Sequence, residues 1–72
     1  MTVVLRSLSE QVYDHVIRQI KLGKLLRGDS VSETKLAEQF NTSRTTAREA
    51  LFMLVNNGIL VHGKKRGFII KG

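Results

Sequence analysis

Residues 32–51 read SETKLAEQFNTSRTTAREAL, a stretch with two helix starts and one interruption. Ser32 is a good N-cap, and Glu33 follows in the first turn, where the helix dipole favours an acid. Val31 and Leu36 stand at the two positions of a hydrophobic staple. Leu36, Ala37 and Phe40 supply a buried face, so a short helix is expected over about Glu33 to Phe40. Asn41-Thr42 leaves room only for a tight turn, and Asn is the non-glycine residue that best tolerates positive φ. Ser43 then caps a second helix, in which Ala47, Ala50, Leu51, Leu54 and Val55 keep helical spacing as far as Asn56-Asn57-Gly58. Asn57-Gly58 also fits a two-residue hairpin turn. The apolar stripe running straight into it favours a helix C-terminus closed by Gly58.

Upstream, residues 1–6 carry no periodic signal, and Ser7-Leu8-Ser9-Glu10 is a capping box. Leu8, Val12, Tyr13, Val16, Ile17 and Ile20 recur at helical spacing, which predicts a helix from about Leu8 to Leu22 with Gly23 as its stop. Arg27-Gly28-Asp29 is a turn signal, and a short bridge or edge strand is expected beside it, before Val31. Downstream of Gly58 the pattern becomes extended. Ile59-Leu60-Val61 and Phe68-Ile69-Ile70 are β-prone runs separated by Gly63-Lys64-Lys65-Arg66-Gly67, a hairpin with a cationic tip. The expected fold is mainly α with a small β-hairpin: a winged helix-turn-helix of three helices and a two- to three-stranded antiparallel wing. One domain is expected over residues 1–72, ordered over about 7–71.

Twelve Lys and Arg against six Asp and Glu give a formal charge of +6, and the sequence pI is near 10.4. Such a chain is built to meet polyanions. It has no Cys, and only His15 and His62 offer imidazole, so neither a disulfide nor a metal is expected to hold the small core together. No cofactor is expected in this domain. No apolar run approaches the roughly 18 residues of a spanning helix, and the first residues lack the apolar centre of a signal peptide. A cytoplasmic, nucleoid-associated location is the expectation, and the glycosylation-like Asn41-Thr42-Ser43 has no meaning there. Catalysis is excluded on motif grounds: there is no G-x-S-x-G elbow, no His pair at metal spacing and no phosphate loop.

In a helix-turn-helix the second helix enters the major groove of DNA with its N-terminal residues against base edges. Here that helix opens Ser43-Arg44-Thr45-Thr46-Ala47-Arg48. Arg44 and Arg48 lie four apart and share a face, with Thr45 on the adjoining flank. Arginine pairs bidentately with guanine O6 and N7, threonine reaches a base or a phosphate, and the free amides of the helix opening add an anion site. Taken alone, two arginines on a capped helix are ordinary solvated charges. The short helix before them and the basic hairpin after them favour the DNA reading. Lys64-Lys65-Arg66 likewise reads either as a solvated loop that blunts a sheet edge or as a finger for phosphates or a minor groove, with Gly67 allowing close backbone approach.

Residues 28–40, GDSVSETKLAEQF, and 43–51, SRTTAREAL, also resemble the N-terminal domain of GntR-family bacterial transcription regulators. The resemblance runs from about Leu8 to Ile70, and the Val31-Ser32-Glu33 entry is closer to the FadR-like branch than to one with a Pro-Ser-Glu entry. It implies sequence-specific binding of double-stranded DNA, with the recognition helix in the major groove and the wing on the minor groove or backbone. It also implies a homodimer on a palindromic operator, and a C-terminal domain, absent from this chain, that binds a small-molecule effector. The DNA-contacting residues it implies are Thr34, Ser43, Arg44, Thr45, Thr46, Arg48, Lys64, Lys65, Arg66 and Gly67. Two departures stand out: Thr46 where many members carry Pro, and Asn41-Thr42 where many carry Gly-Val.

Phe52-Met53 falls outside the main apolar stripe of its helix. These residues either pack under the wing, stand exposed singly, or meet a partner or second domain. The rival to DNA binding is a winged-helix protein-interaction module with only weak, sequence-blind affinity for DNA. A membrane-surface role for the first helix is disfavoured, because Glu10 and Asp14 offset Arg18 and Lys21 and its apolar face is needed for the core.

Overall fold

The computed structural model describes residues 7–63 and 67–71. Three helices, α1 (Leu8–Lys21), α2 (Glu33–Gln39) and α3 (Arg44–Asn56), and three strands, β1 (Ser30–Val31), β2 (Leu60–Gly63) and β3 (Gly67–Ile70), follow one another in the order α1-β1-α2-α3-β2-β3. Each helix starts on a serine whose side chain accepts the amide three residues on, at 3.2 Å in all three cases: Ser7 from Glu10, Ser32 from Lys35 and Ser43 from Thr46. These caps satisfy amides that have no partner inside the helix, and they place each start where the sequence puts it. The ends are slightly shorter than expected, since Leu22 and Phe40 serve as C-caps rather than helical residues.

The strands form one antiparallel sheet in the order β1-β3-β2. The expected edge strand is therefore real, and it pairs with the last strand of the chain, Val31 lying opposite Phe68. The turn before it is held by Asp29, whose carboxylate accepts the Leu26 amide at 2.8 Å. Beyond the strand ends the pairing continues, with the Gly28 amide donating to the Ile70 carbonyl at 2.9 Å and the Lys71 amide to that of Ile59 at 2.9 Å. Ile59 itself lies just before β2, whereas His62, Gly63 and Gly67, expected in or beside the connecting loop, belong to the strands. The hairpin is thus tighter than predicted, and its connection, Lys64 to Arg66, lies outside the described residues.

The core joins Val12 and Val16 of α1, Leu36 and Ala37 of α2, Ala47, Ala50, Leu51 and Leu54 of α3, and Val31, Leu60, Phe68 and Ile70 of the sheet. α3 packs against α1, α2 and β2. Two polar contacts fix the surrounding helices: Asn57 donates to the Tyr13 hydroxyl at 2.7 Å, and His15 lies 3.3 Å from the Gln39 amide nitrogen with its ring edge-on to Phe40.

The α2–α3 turn depends on Asn41, which alone among the described non-glycine residues has positive φ, at 51°. The next amide, of Thr42, donates to the Ala37 carbonyl at 2.9 Å and closes the end of α2. The left-handed conformation costs an ordinary L-residue roughly 1–2 kcal/mol, and most when β-branched. Asn41→Gly is therefore expected to leave urea stability nearly unchanged, while Asn41→Val lowers it by about 1–2 kcal/mol.

Candidate nucleic-acid interface

The opening of α2, the opening of α3 and the base of the β2–β3 hairpin come together on one side of the domain. Between them is a cleft of about 280 Å³, lined in part by Ser32, Glu33, Arg48, His62 and Gly67. Of the residues singled out from the sequence, Thr34, Ser43, Arg44, Thr45 and Arg48 are exposed, while Thr46 and Gly67 are half-buried. The described members therefore gather at the helix openings and the root of the wing. Lys64, Lys65 and Arg66 fall outside the described residues.

Two hydroxyls in the set already have structural work. Ser43 accepts the Thr46 amide as the cap of α3, and the Ser43 and Thr46 hydroxyls are 3.1 Å apart. Thr46, standing where Pro is common, thus closes the first turn from its side chain. Gly67 is required by its backbone, with φ at 71°. A Cβ there would meet nothing within 4 Å, so close approach within the domain is not the reason for the glycine.

The main feature missed in the sequence is Glu33. Arg48 donates to its carboxylate through Nε at 2.9 Å and Nη2 at 3.0 Å, a fork-to-fork pair. Arg44 Nη2 reaches the same carboxylate at 3.5 Å. Both arginines of the recognition face are therefore tied to α2. They remain open to solvent, their side chains being 66% and 55% exposed for Arg44 and Arg48 against 18% for Glu33. The hydrogen bond from Arg48, helped by the nearby charges of Arg48 and Arg44, holds the Glu33 carboxyl below its ordinary range.

The second missed feature is a ring cluster. His62 stacks on Phe68 with centroids 4.6 Å apart, and Phe52 stands edge-on to both rings at 5.2 Å. Phe52 thus packs against the wing, as one of the sequence readings expected, while Met53 is half-buried beside the core. Alternation along β2 carried the signal: Leu60 and His62 share one sheet face, so His62 continues the core face to the point where it meets solvent. The cluster steadies the wing root against α3.

Three helices with a helix-turn-helix angle set at Asn41, followed by an antiparallel hairpin beside α3, define a winged helix-turn-helix domain. Residues 8–70 match the model of the bacterial regulatory proteins of the gntR family, and the chain belongs to that family. The chain is 43% identical over 61 residues to the HTH-type transcriptional repressor NagR of Bacillus subtilis, covering 83% of this chain and 25% of the relative. It is 35% identical over 60 residues to the HTH-type transcriptional regulator YdhC of the same organism, covering 83% and 27%. It spans about a quarter of the length of these curated relatives. Among solved structures, the AraR DNA-binding domain in complex with operator ORE1 superposes with a TM-score of 0.88 at 28% identity, over 97% of this chain and 87% of that one. Escherichia coli McbR/YncC does so with a TM-score of 0.83 at 33% identity, over 93% and 32%. The two curated relatives are HTH-type regulators of transcription, and the AraR domain is bound to operator DNA.

Two of the described groups contribute to the acid response of the fold. His15 is held below its ordinary 6.5 by burial and by the nearby Arg18 charge, so its contribution to stability is present above pH 6.5 and is lost as pH falls through its lowered folded value. Glu33, also lowered, contributes above its ordinary 4.5 and loses that contribution as pH falls through its folded value. Urea midpoints measured from pH 8 to pH 3 should accordingly fall as the pH drops. His15→Gln should lessen the loss just below pH 6.5, whereas Glu33→Gln, whose exposed ion pair contributes little, should change the loss below pH 4.5 only slightly.

Proposed function

We propose that this chain is the operator-reading domain of a transcription regulator, binding double-stranded DNA with sequence preference. The observation that carries the reading is the joint exposure of Arg44, Thr45 and Arg48 on the opening turns of α3, beside the wing root. Arginine and threonine there can meet base edges in the major groove while Thr34 and the wing engage the backbone or the minor groove. Support comes from the net charge of +6, from family membership, and from neighbours of the same fold solved on operator DNA.

The finer reading is that the domain acts as one of a pair on a palindromic operator. Two-fold related heads on two half-sites raise affinity through linkage rather than new contacts. It serves a longer regulator of the FadR-like branch, working in the cytoplasm at the nucleoid, whose separate domain binds a small-molecule effector. Val31-Ser32-Glu33 at the entry to α2 supports that branch.

A titration with duplex DNA across salt tests the core of this proposal. Binding through several phosphates weakens steeply as salt rises. Lys64→Ala should weaken all duplexes alike and reduce the log-log slope by about one. Arg44→Ala should lower affinity for a preferred duplex roughly ten- to a hundredfold and relax the preference itself. Affinity that is insensitive to salt and to both changes would mark a protein-interaction module instead.

A further inference from the structure

We propose that Glu33 is a specificity-determining positioning residue, which sets the discrimination between preferred and random DNA by holding Arg48 and Arg44 in one arrangement. The inference rests on the DNA-binding reading above. A guanidinium has five N–H donors. Glu33 engages Arg48 at Nε and Nη2, at 2.9 and 3.0 Å, which leaves both hydrogens of Nη1 and one of Nη2 on the opposite edge. Among the described residues no other group takes them. That edge carries the two parallel donors that guanine O6 and N7 accept. The carboxylate therefore uses the edge of Arg48 that points back to α2 and leaves the reading edge outward.

Charge acts in the same direction. Arg44 and Arg48 alone would give the recognition face two positive charges, and Glu33 cancels one of them within hydrogen-bond reach. Attraction to phosphate is blind to sequence, so removing loose charge weakens binding to random DNA more than binding through aligned base contacts. The carboxyl is stabilised in its ionised form, which keeps this arrangement in place at neutral pH. Stability does not account for the cluster. Exposed ion pairs contribute little to folding, and α2 and α3 already share Leu36, Ala37, Ala47 and Leu51 in the core.

The test compares the wild-type domain with Glu33→Gln and Glu33→Asp on two duplexes of equal length. One is selected by the wild type from a random pool, and the other is random in sequence. Glu33→Gln removes the charge, and we expect tighter binding to the random duplex by about threefold, a salt slope steeper by up to about one, and a preference ratio lower by about tenfold. Glu33→Asp keeps the charge but holds the carboxylate one methylene short of the Arg48 fork. It should retain the wild-type salt slope and still lose preference. Thermal unfolding is followed alongside: a purely structural role would lower both affinities together and leave the ratio intact, which overturns the proposal. An unchanged ratio in both variants overturns it as well. A wild-type domain blind to sequence overturns the DNA-binding reading itself, and the inference falls with it.

Discussion

One face of α3 carries the fold. Ala47, Ala50, Leu51 and Leu54 have no exposed surface, and through them α3 packs against α1, α2 and β2. The two alanines let neighbouring backbones come close, and the two leucines fill the space between the helices and the sheet. A reading helix must be rigid before it can discriminate, because any freedom in its placement spreads over every base contact it makes. Here rigidity comes from using the helix twice. The inward face is core along the length of α3, and the outward side of its opening turns carries the arginines offered to a ligand.

This arrangement sets where the surrounding parts can go. The left-handed Asn41 turns the chain sharply enough to bring α2 across α3, which places Glu33 over the Arg44–Arg48 face. The hairpin returns along the other side of α3, where Phe52, His62 and Phe68 interlock at its root. The candidate interface is thus assembled from three elements, each held by a different force: apolar burial for α3, a charge-assisted fork for its arginines, and ring packing for the wing.

Features set by neighbours in sequence were legible before the structure. Ser7, Ser32 and Ser43 are read as caps because their hydrogen bonds close within three residues, and Asn41 is read as a turn because its side chain tolerates positive φ. Helical periodicity likewise picked out the core face of α3. Features that join distant segments were not legible. Glu33 looks like a simple first-turn acid, since nothing local shows that Arg48 sits opposite it on another helix. The central place of β3 between β1 and β2 was hidden for the same reason, because Val31 and Phe68 meet only through the fold. His62 was passed over because an isolated imidazole suggests a ligand or nothing, while its partner rings lie on α3 and β3. For the candidate site, residue types were readable and their mutual engagement was not.

The central claim is that the opening turns of α3, with the start of α2 and the wing, form the surface that meets DNA. A titration of the isotope-labelled domain with a preferred duplex, followed by amide chemical shifts, tests it most directly. The account predicts that the largest changes fall at Thr34, at Ser43 to Arg48 and at the hairpin around Gly63 and Gly67, while Leu22 and Leu26, exposed on the connection between α1 and β1, stay still. Shifts concentrated at Leu22 and Leu26, or along the Tyr13–Asn57 side of α1, with the α3 opening unmoved, would contradict it.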